Sequence, residues 1–238
     1  MYKGYKIIDM DTHVGPATEV LEKYVEPSFR TRLSELERYK RVRIQEVDGV
    51  KTKKGTVITV APITYDRFPG TAPKADDLKS EAGGRGAIEG RTQAQRRGPI
   101  RPGVDQENSQ GRLEDMDLEG RDIDFMFPSD WAATITALED VTLAEGLWRA
   151  YHRYLCEYTA IAPDRLKACL QVPGADPKWA VSEIKMWGKE KWVAAVWVQL
   201  KEGLPVDHPD LEPIWATMNE LDLPLVHHSF FYEPPYFP

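Results

Sequence analysis

Near the N-terminus, Asp9-Met10-Asp11-Thr12-His13 sets two acids and a histidine at the end of a short apolar run. If that run is a strand, residues two apart point to the same face, so Asp11 and His13 project together. A carboxylate oxygen beside an imidazole nitrogen is a natural ligand pair for zinc or another divalent ion. Asp9 shares their parity but lies deeper, which suits a supporting role behind the ligands. A second apolar run, "LPLVHHS", ends in His227 and His228. Adjacent strand residues face opposite sides, so only one of these can join the first pair. His228 stands nearer the C-terminal edge and is the expected third ligand. His227 then packs outward or supports the site. Each cluster alone has an ordinary reading, as turn acids beside a histidine or as two satisfied core histidines. Their gathering at the same end of two strands of one sheet favours a metal.

Other candidates carry less. His152 lies mid-helix beside an apolar stripe and reads as a surface residue, and His208 before Pro209 belongs to a helix-start turn. Lys201 follows a strand where a metal-bridging lysine can stand, though a solvated loop lysine is the plainer reading. Ser229 has no nucleophile elbow around it and receives no nucleophilic role.

The elements that must position these residues are legible from Asp122 onward. "DIDFMFP" is a short apolar run closed by proline, the pattern of a buried strand. Leu143, Leu147, Tyr151, Leu155 and Tyr158 then recur at helical spacing, and the helix stops before Pro163. A second strand runs from Arg165 to Pro173. A helix follows with Asp176 as N-cap, Pro177 at its first position and Gly188 as terminator. Lys191 to Leu200 is a third strand. Leu211, Trp215, Met218 and Leu221 mark another helix, and Leu223 to His228 a fourth strand. With "KIIDMD" this makes five strands, the last four alternating with helices. Strands buried on both faces and alternating with helices imply a parallel sheet, hence an α/β protein. The first strand lacks the glycine-rich turn of a dinucleotide site. It carries acids and a histidine at its C-terminal end, where barrel enzymes keep their chemistry.

Between the first two strands, residues 40–112 read as an insertion within a single domain spanning 1–238. "KRVRIQEVDGVKTKKGTVITVAP" has the pattern of a β-hairpin with a Gly/Lys turn. After it, residues 83–103 carry Arg85, Arg91, Arg96, Arg97 and Arg101 against the single Glu89. A solvated loop is the plain reading. The sharper one is a lid bringing guanidinium to a carboxylate substrate.

Bulk properties limit the partners. The net charge of −7, and arginines without interleaved aromatics, argue against nucleic acid. No apolar run is long enough to span a membrane, and the N-terminus lacks a signal peptide's apolar region, so a cytoplasmic location is expected. Cys156 and Cys169 fall on different elements and read as reduced thiols.

"IIDMDTHV" resembles the first strand of the amidohydrolase-2 family, which contains aminocarboxymuconate-semialdehyde decarboxylase and γ-resorcylate decarboxylase. "DIDFMFP", "APDRLKACLQVP" and "HPDLEPIWATMNELDLPLVHHS" match in the same order. The resemblance covers about residues 1–25 and 113–238. It implies a (β/α)8 TIM barrel of the metallo-dependent hydrolase type, present as about strands 1–5. It further implies one divalent metal at the barrel mouth, zinc first and manganese or iron as alternatives. Carried over, the metal ligands fall on Asp11, His13 and His228. The family's remaining aspartate ligand and catalytic histidine would lie beyond Pro238, so the sequence reads as the N-terminal portion of a longer enzyme, inactive by itself. The implied activity is metal-dependent hydrolysis or decarboxylation of a small carboxylate-bearing molecule, with a homo-oligomer expected at full length. Two alternatives stand beside it: a non-catalytic or partner-completed subunit, and an iron-dependent oxygenase on the same barrel.

Overall fold

The computed structural model describes residues 4–47, 50–58, 107–128, 135, 138, 140–200 and 205–228. The arginine-rich stretch, Lys201 and Ser229 lie outside them.

Four parallel strands form the central sheet: β1 (Ile8–Val14), β4 (Ile123–Pro128), β5 (Leu166–Pro173) and β6 (Val193–Gln199), side by side in that order. The antiparallel hairpin of β2 (Lys40–Val47) and β3 (Val50–Ile58) stands apart from it. Its register pairs Val47 with Val50, so the chain reverses between these two and "KTKKG" lies within β3 rather than at the turn. Asp48-Gly49 at that point is the dipeptide type favoured by two-residue hairpin loops.

Helices follow the strands. α1 (Thr18–Leu21) leads into 3₁₀ turns at Glu22–Tyr24 and Pro27–Tyr39. α2 is Ser109–Glu119, α3 Val141–Thr159, α4 Pro177–Trp187 and α5 Glu212–Glu220. The capping reading holds for α4: Asp176 Oδ1 accepts from the Trp179 N–H at 2.9 Å, with Pro177 in the first turn. Asp140 does the same for α3, accepting from Thr142 and Leu143. Two glycines end helices for different reasons. Gly120 closes α2 at a φ of 75°, where a side chain would be strained. Gly188 has an ordinary helical φ, but a Cβ there would lie 2.6 Å from the Ile184 carbonyl and 2.8 Å from Leu221.

The sheet divides the interior in two. Met126, Leu166, Ala168, Leu170, Val172, Val196 and Val198 face the helices, where Leu143, Leu147, Trp148, Tyr151, Leu155 and Ile184 pack on them. Phe125, Phe127, Cys169, Ala195 and Trp197 alternate to the opposite face and form a second, smaller cluster. Such alternation, with side chains filling both faces, is how a parallel barrel sheet is built.

Two expectations change. Leu223 to His228 is not a full strand: it makes one parallel bridge, Leu225 to Val196, with the Val196 N–H bonded to the Pro224 carbonyl and the Val226 N–H to that of Val196. His152 is fully buried rather than on the surface. Its helix, α3, lies between the sheet and the segment at Glu22–Tyr24 and buries far more than one stripe. His208 caps the 3₁₀ turn Pro209–Leu211 by accepting from the Asp210 N–H, as its place before Pro209 implies. Both cysteines are free thiols. Among the described residues, no helix is long and apolar enough to cross a membrane.

Candidate metal centre

The register of β1 against β4 sets the site. Asp9 pairs with Asp124, yet the next pair is Thr12 with Met126, so β1 holds one residue more than its partner between these points. This β-bulge cancels the simple parity argument. Asp9 shares the helix-facing side with Asp124, while His13, opposite Phe127, shares the inner side. Bulges commonly re-aim side chains beside functional sites. Here Asp9 Oδ1 accepts the Asp11 N–H at 3.1 Å and steadies the displaced backbone. Arg121 stands 3.9 Å from Asp9 and also pairs with Asp124.

On the inner side, Asp11, His13 and His228 converge, with one ligand atom from each lying within 4.8 Å of the others. Asp11 Oδ1 is 3.0 Å from His228 Nε2 and 3.3 Å from His13 Nε2. The two imidazole rings meet edge to face at 5.1 Å. His228 is 10% exposed and Asp11 69%, so the cluster opens to solvent on the Asp11 side. His227 does not join the cluster, and its ring meets Trp197 edge to face at 6.2 Å. Burial first, and the neighbouring His228 second, lower the His227 pKa.

The donor set fits a divalent ion. His13 Nδ1 lies 3.1 Å from the Pro128 carbonyl, and a carbonyl only accepts, so Nδ1 carries the proton. In the neutral ring, Nε2 then turns a lone pair toward a carboxylate oxygen 3.3 Å away. A proton on Nε2 or a divalent ion bound by both atoms accounts for that approach. Ligands held about 2.0–2.2 Å from a metal stand roughly 3 Å apart, which these spacings match. The Nδ1–H to carbonyl bond is also the usual way a ligating imidazole is oriented.

Residues behind the site were not legible as functional. Arg112, on α2, donates to the His13 carbonyl at 2.6 Å, to Asp124 Oδ2 at 3.2 Å and to the Tyr158 hydroxyl at 3.0 Å. Burial would lower its pKa, but Tyr158 and Asp124 raise it above the usual arginine value. Tyr151 donates to the Val14 carbonyl at 2.8 Å, holding the strand one residue further on. Phe127 lies 4.6 Å from the His228 ring and 6.0 Å from Trp197, so aromatic faces wall the inner side of the cluster. The available signals were the Asn108 cap and Gly120 stop around Arg112, and the alternation of Phe125 and Phe127 along β4.

A parallel sheet alternating with helices, with side chains filling both faces, defines a barrel-type α/β protein. The amidohydrolase family model matches residues 91–237, more than half of the sequence, and the chain belongs to that family. Among solved structures it is similar to 5-carboxyvanillate decarboxylase of Novosphingobium aromaticivorans with bound manganese and 3-methoxy-4-hydroxy-5-nitrobenzoic acid. The TM-score is 0.54 at 18% identity, over 99% of this chain and 54% of that one. A second structure of that enzyme, complexed with manganese and 4-hydroxy-3-methoxy-5-nitrobenzoic acid, matches with TM-score 0.54, 18% identity and coverage of 99% and 53%. The chain thus spans about half the length of these structures. Comparison with curated proteins by sequence gives no match. The likeness establishes the barrel-type α/β fold. The metal in those structures is manganese, which gives no support to zinc over the alternatives.

Proposed function

We propose that this chain carries the metal-binding part of a divalent-metal-dependent carboxy-lyase acting on a small planar carboxylic acid. The carrying observation is the convergence of Asp11, His13 and His228 beside the aromatic faces of Phe127 and Trp197. Family membership and the manganese and ring-acid ligands of the similar decarboxylase support the same reading. A divalent ion held there, manganese or zinc, would supply Lewis acidity toward carboxylate or hydroxyl oxygens.

The chain's own residues prepare that chemistry. Asp11 contributes the one negative charge of the donor set, so the centre keeps a net positive charge with which to attract an acid. His13 keeps its Nε2 lone pair directed inward because Pro128 holds the Nδ1 proton. Phe127 and Trp197, each 6% exposed, leave a narrow apolar rim beside His228 and exclude water from that side. A ring lying against them brings its carboxylate toward the polar cluster. Decarboxylation breaks the bond from ring carbon to carboxyl carbon, leaves the electron pair on the ring, and ends when a proton takes the place of carbon dioxide. Polarising the substrate's oxygens stabilises that developing charge.

The test is metal content. Purified protein is expected to bind one manganese or zinc ion, and Asp11→Ala and His228→Ala are each expected to remove it. Native metal stoichiometry in both variants overturns the assignment. Release of carbon dioxide from carboxylated phenols by the manganese-loaded protein would establish the reaction class, and hydrolysis of an amide or lactone without it would replace that class.

A further inference from the structure

Gln171 is 3% exposed, and its side-chain oxygen and nitrogen find no hydrogen-bond partner among the described residues beyond the weak one offered by the Cys169 thiol. Unpaired buried amides are rare because each polar atom has given up water without replacement. Along β5, Leu170 and Val172 face the helices and Cys169 faces the inner cluster, so Gln171 alternates to the inner side. Its register partner on β6 is Trp197, which stands 6.1 Å from the His228 ring. Gln171 therefore lies one step nearer the strand's C-terminal end than Cys169, on the face that carries the aromatic wall. The Cys169 thiol below it is a weak partner.

The backbone at this point is held firmly. The Gln171 N–H donates to His152 Nε2 at 3.1 Å, and His152 Nδ1 is 2.8 Å from Glu183 Oε1. A buried helix histidine, itself fixed by a carboxylate, thus clamps the strand at the residue whose amide is left unmatched.

We propose that the Gln171 amide is a specificity residue on the inner face of the sheet and recognises a hydroxyl group on a planar ring acid. This rests on the ring-acid reading given above. The chemistry selects the group. A carboxylate only accepts, so it would satisfy the amide N–H and leave the amide oxygen unpaired, and neutral glutamine does nothing to balance its charge. A ring hydroxyl both accepts and donates, and matches both halves of the amide. Sites built to bond a hydroxyl discriminate strongly against the analogue lacking it, because buried polar groups are then left unpaired.

The experiment measures binding of benzoate and of its 2-, 3- and 4-hydroxy derivatives to the manganese-loaded chain by calorimetry, with Gln171→Leu and Gln171→Met beside the wild type. At least one hydroxybenzoate is expected to bind wild type about tenfold or more tightly than benzoate. Both variants are expected to lose that preference, to keep their affinity for benzoate, and to hold or raise the melting temperature. A folded, metal-loaded variant that keeps the preference overturns the assignment. So does a fall in melting temperature without change in the preference, which would mean that internal water satisfies the amide for structural reasons. Wild type loaded with manganese that binds none of the four acids overturns the ring-acid reading itself, and Gln171's role with it.

Discussion

Arg112 donates a hydrogen bond to the main-chain carbonyl of His13 at 2.6 Å while the same guanidinium is paired with the fully buried Asp124. One side chain thus ties α2, β4 and the strand that presents two of the three converging donors. Replacing it with methionine keeps the bulk and removes all three bonds. Arg112→Met is expected to cost about 3 kcal/mol, the order for breaking a buried pair, with Arg121 left to hold Asp124. Metal affinity is expected to fall about 10- to 100-fold, the usual effect of losing a group that orients a ligand. Chemical denaturation and a metal titration read the two effects separately.

Asp9 and Asp11 are separated by a single residue and differ in fate because of the bulge. Asp9→Ala is expected to leave the metal stoichiometry unchanged and to weaken affinity less than tenfold, since it loses the bond that steadies the Asp11 N–H and a long contact with Arg121 but no ligand. Its stability cost is expected near 1 kcal/mol. Complete metal loss on Asp9→Ala would mean that the strand alternates regularly and that the bulge is not there in solution.

The His152–Glu183 pair should be a stability element with its own pH signature. Both side chains are fully buried, and Glu183 is also contacted by Arg149 and by the Trp187 indole N–H. Burial pushes the Glu183 pKa up, but His152 and Arg149 outweigh it, so the folded value lies below the ordinary 4.5. A lowered carboxyl pKa contributes stability that is full above the unfolded value and is lost as pH falls through the folded one. Glu183→Gln is therefore expected to flatten the acid limb of the stability profile below pH 4.5. His152→Ala is expected to cost about 3 kcal/mol while leaving the metal in place. Urea melts at several pH values check both.

Glu145 behaves in the opposite sense. Burial, and then the neighbouring Asp176, raise its pKa from 4.5 to about 7. The folded protein holds a proton that the unfolded chain releases, so this contribution is full below pH 4.5 and disappears as pH rises through about 7. Glu145→Gln mimics the protonated carboxyl. It is expected to abolish the slope between those limits and to exceed wild type by about 3 kcal/mol at about pH 8. An unchanged profile would show that Glu145 ionises normally in the fold.

The regular elements were legible because their signals are local. Asp176 before Pro177 starts a helix wherever it occurs, and a run such as Phe125–Phe127 closed by Pro128 reads as a strand. His152 was misread because a single apolar stripe identifies one buried face and says nothing of a second. The strand expected at Leu223 to His228 shrank to one bridge because only β6 pairs with it among the described residues. Asp11, His13 and His228 were visible from residue type and position, and Asp9 stands behind them as expected, but on the opposite face from the one its parity gave. A bulge arises from the pairing of β1 with a strand more than a hundred residues away, and nothing within "IIDMDTHV" announces it. Gln171 was silent for a similar reason: a glutamine within a strand means little until its neighbours prove apolar.

The short helix α1 has a further consequence. The Thr18 hydroxyl donates to the Thr56 carbonyl and Glu19 accepts from the Thr56 N–H, while the Ala17 N–H donates to Glu107. The chain on either side of residues 59–106 therefore returns to the same three consecutive positions. Residues 17–19 thus anchor both the end of β3 and the approach to α2. A disturbance at these three positions would be felt at once by the hairpin and by the helix whose Arg112 grips the His13 carbonyl behind the cluster.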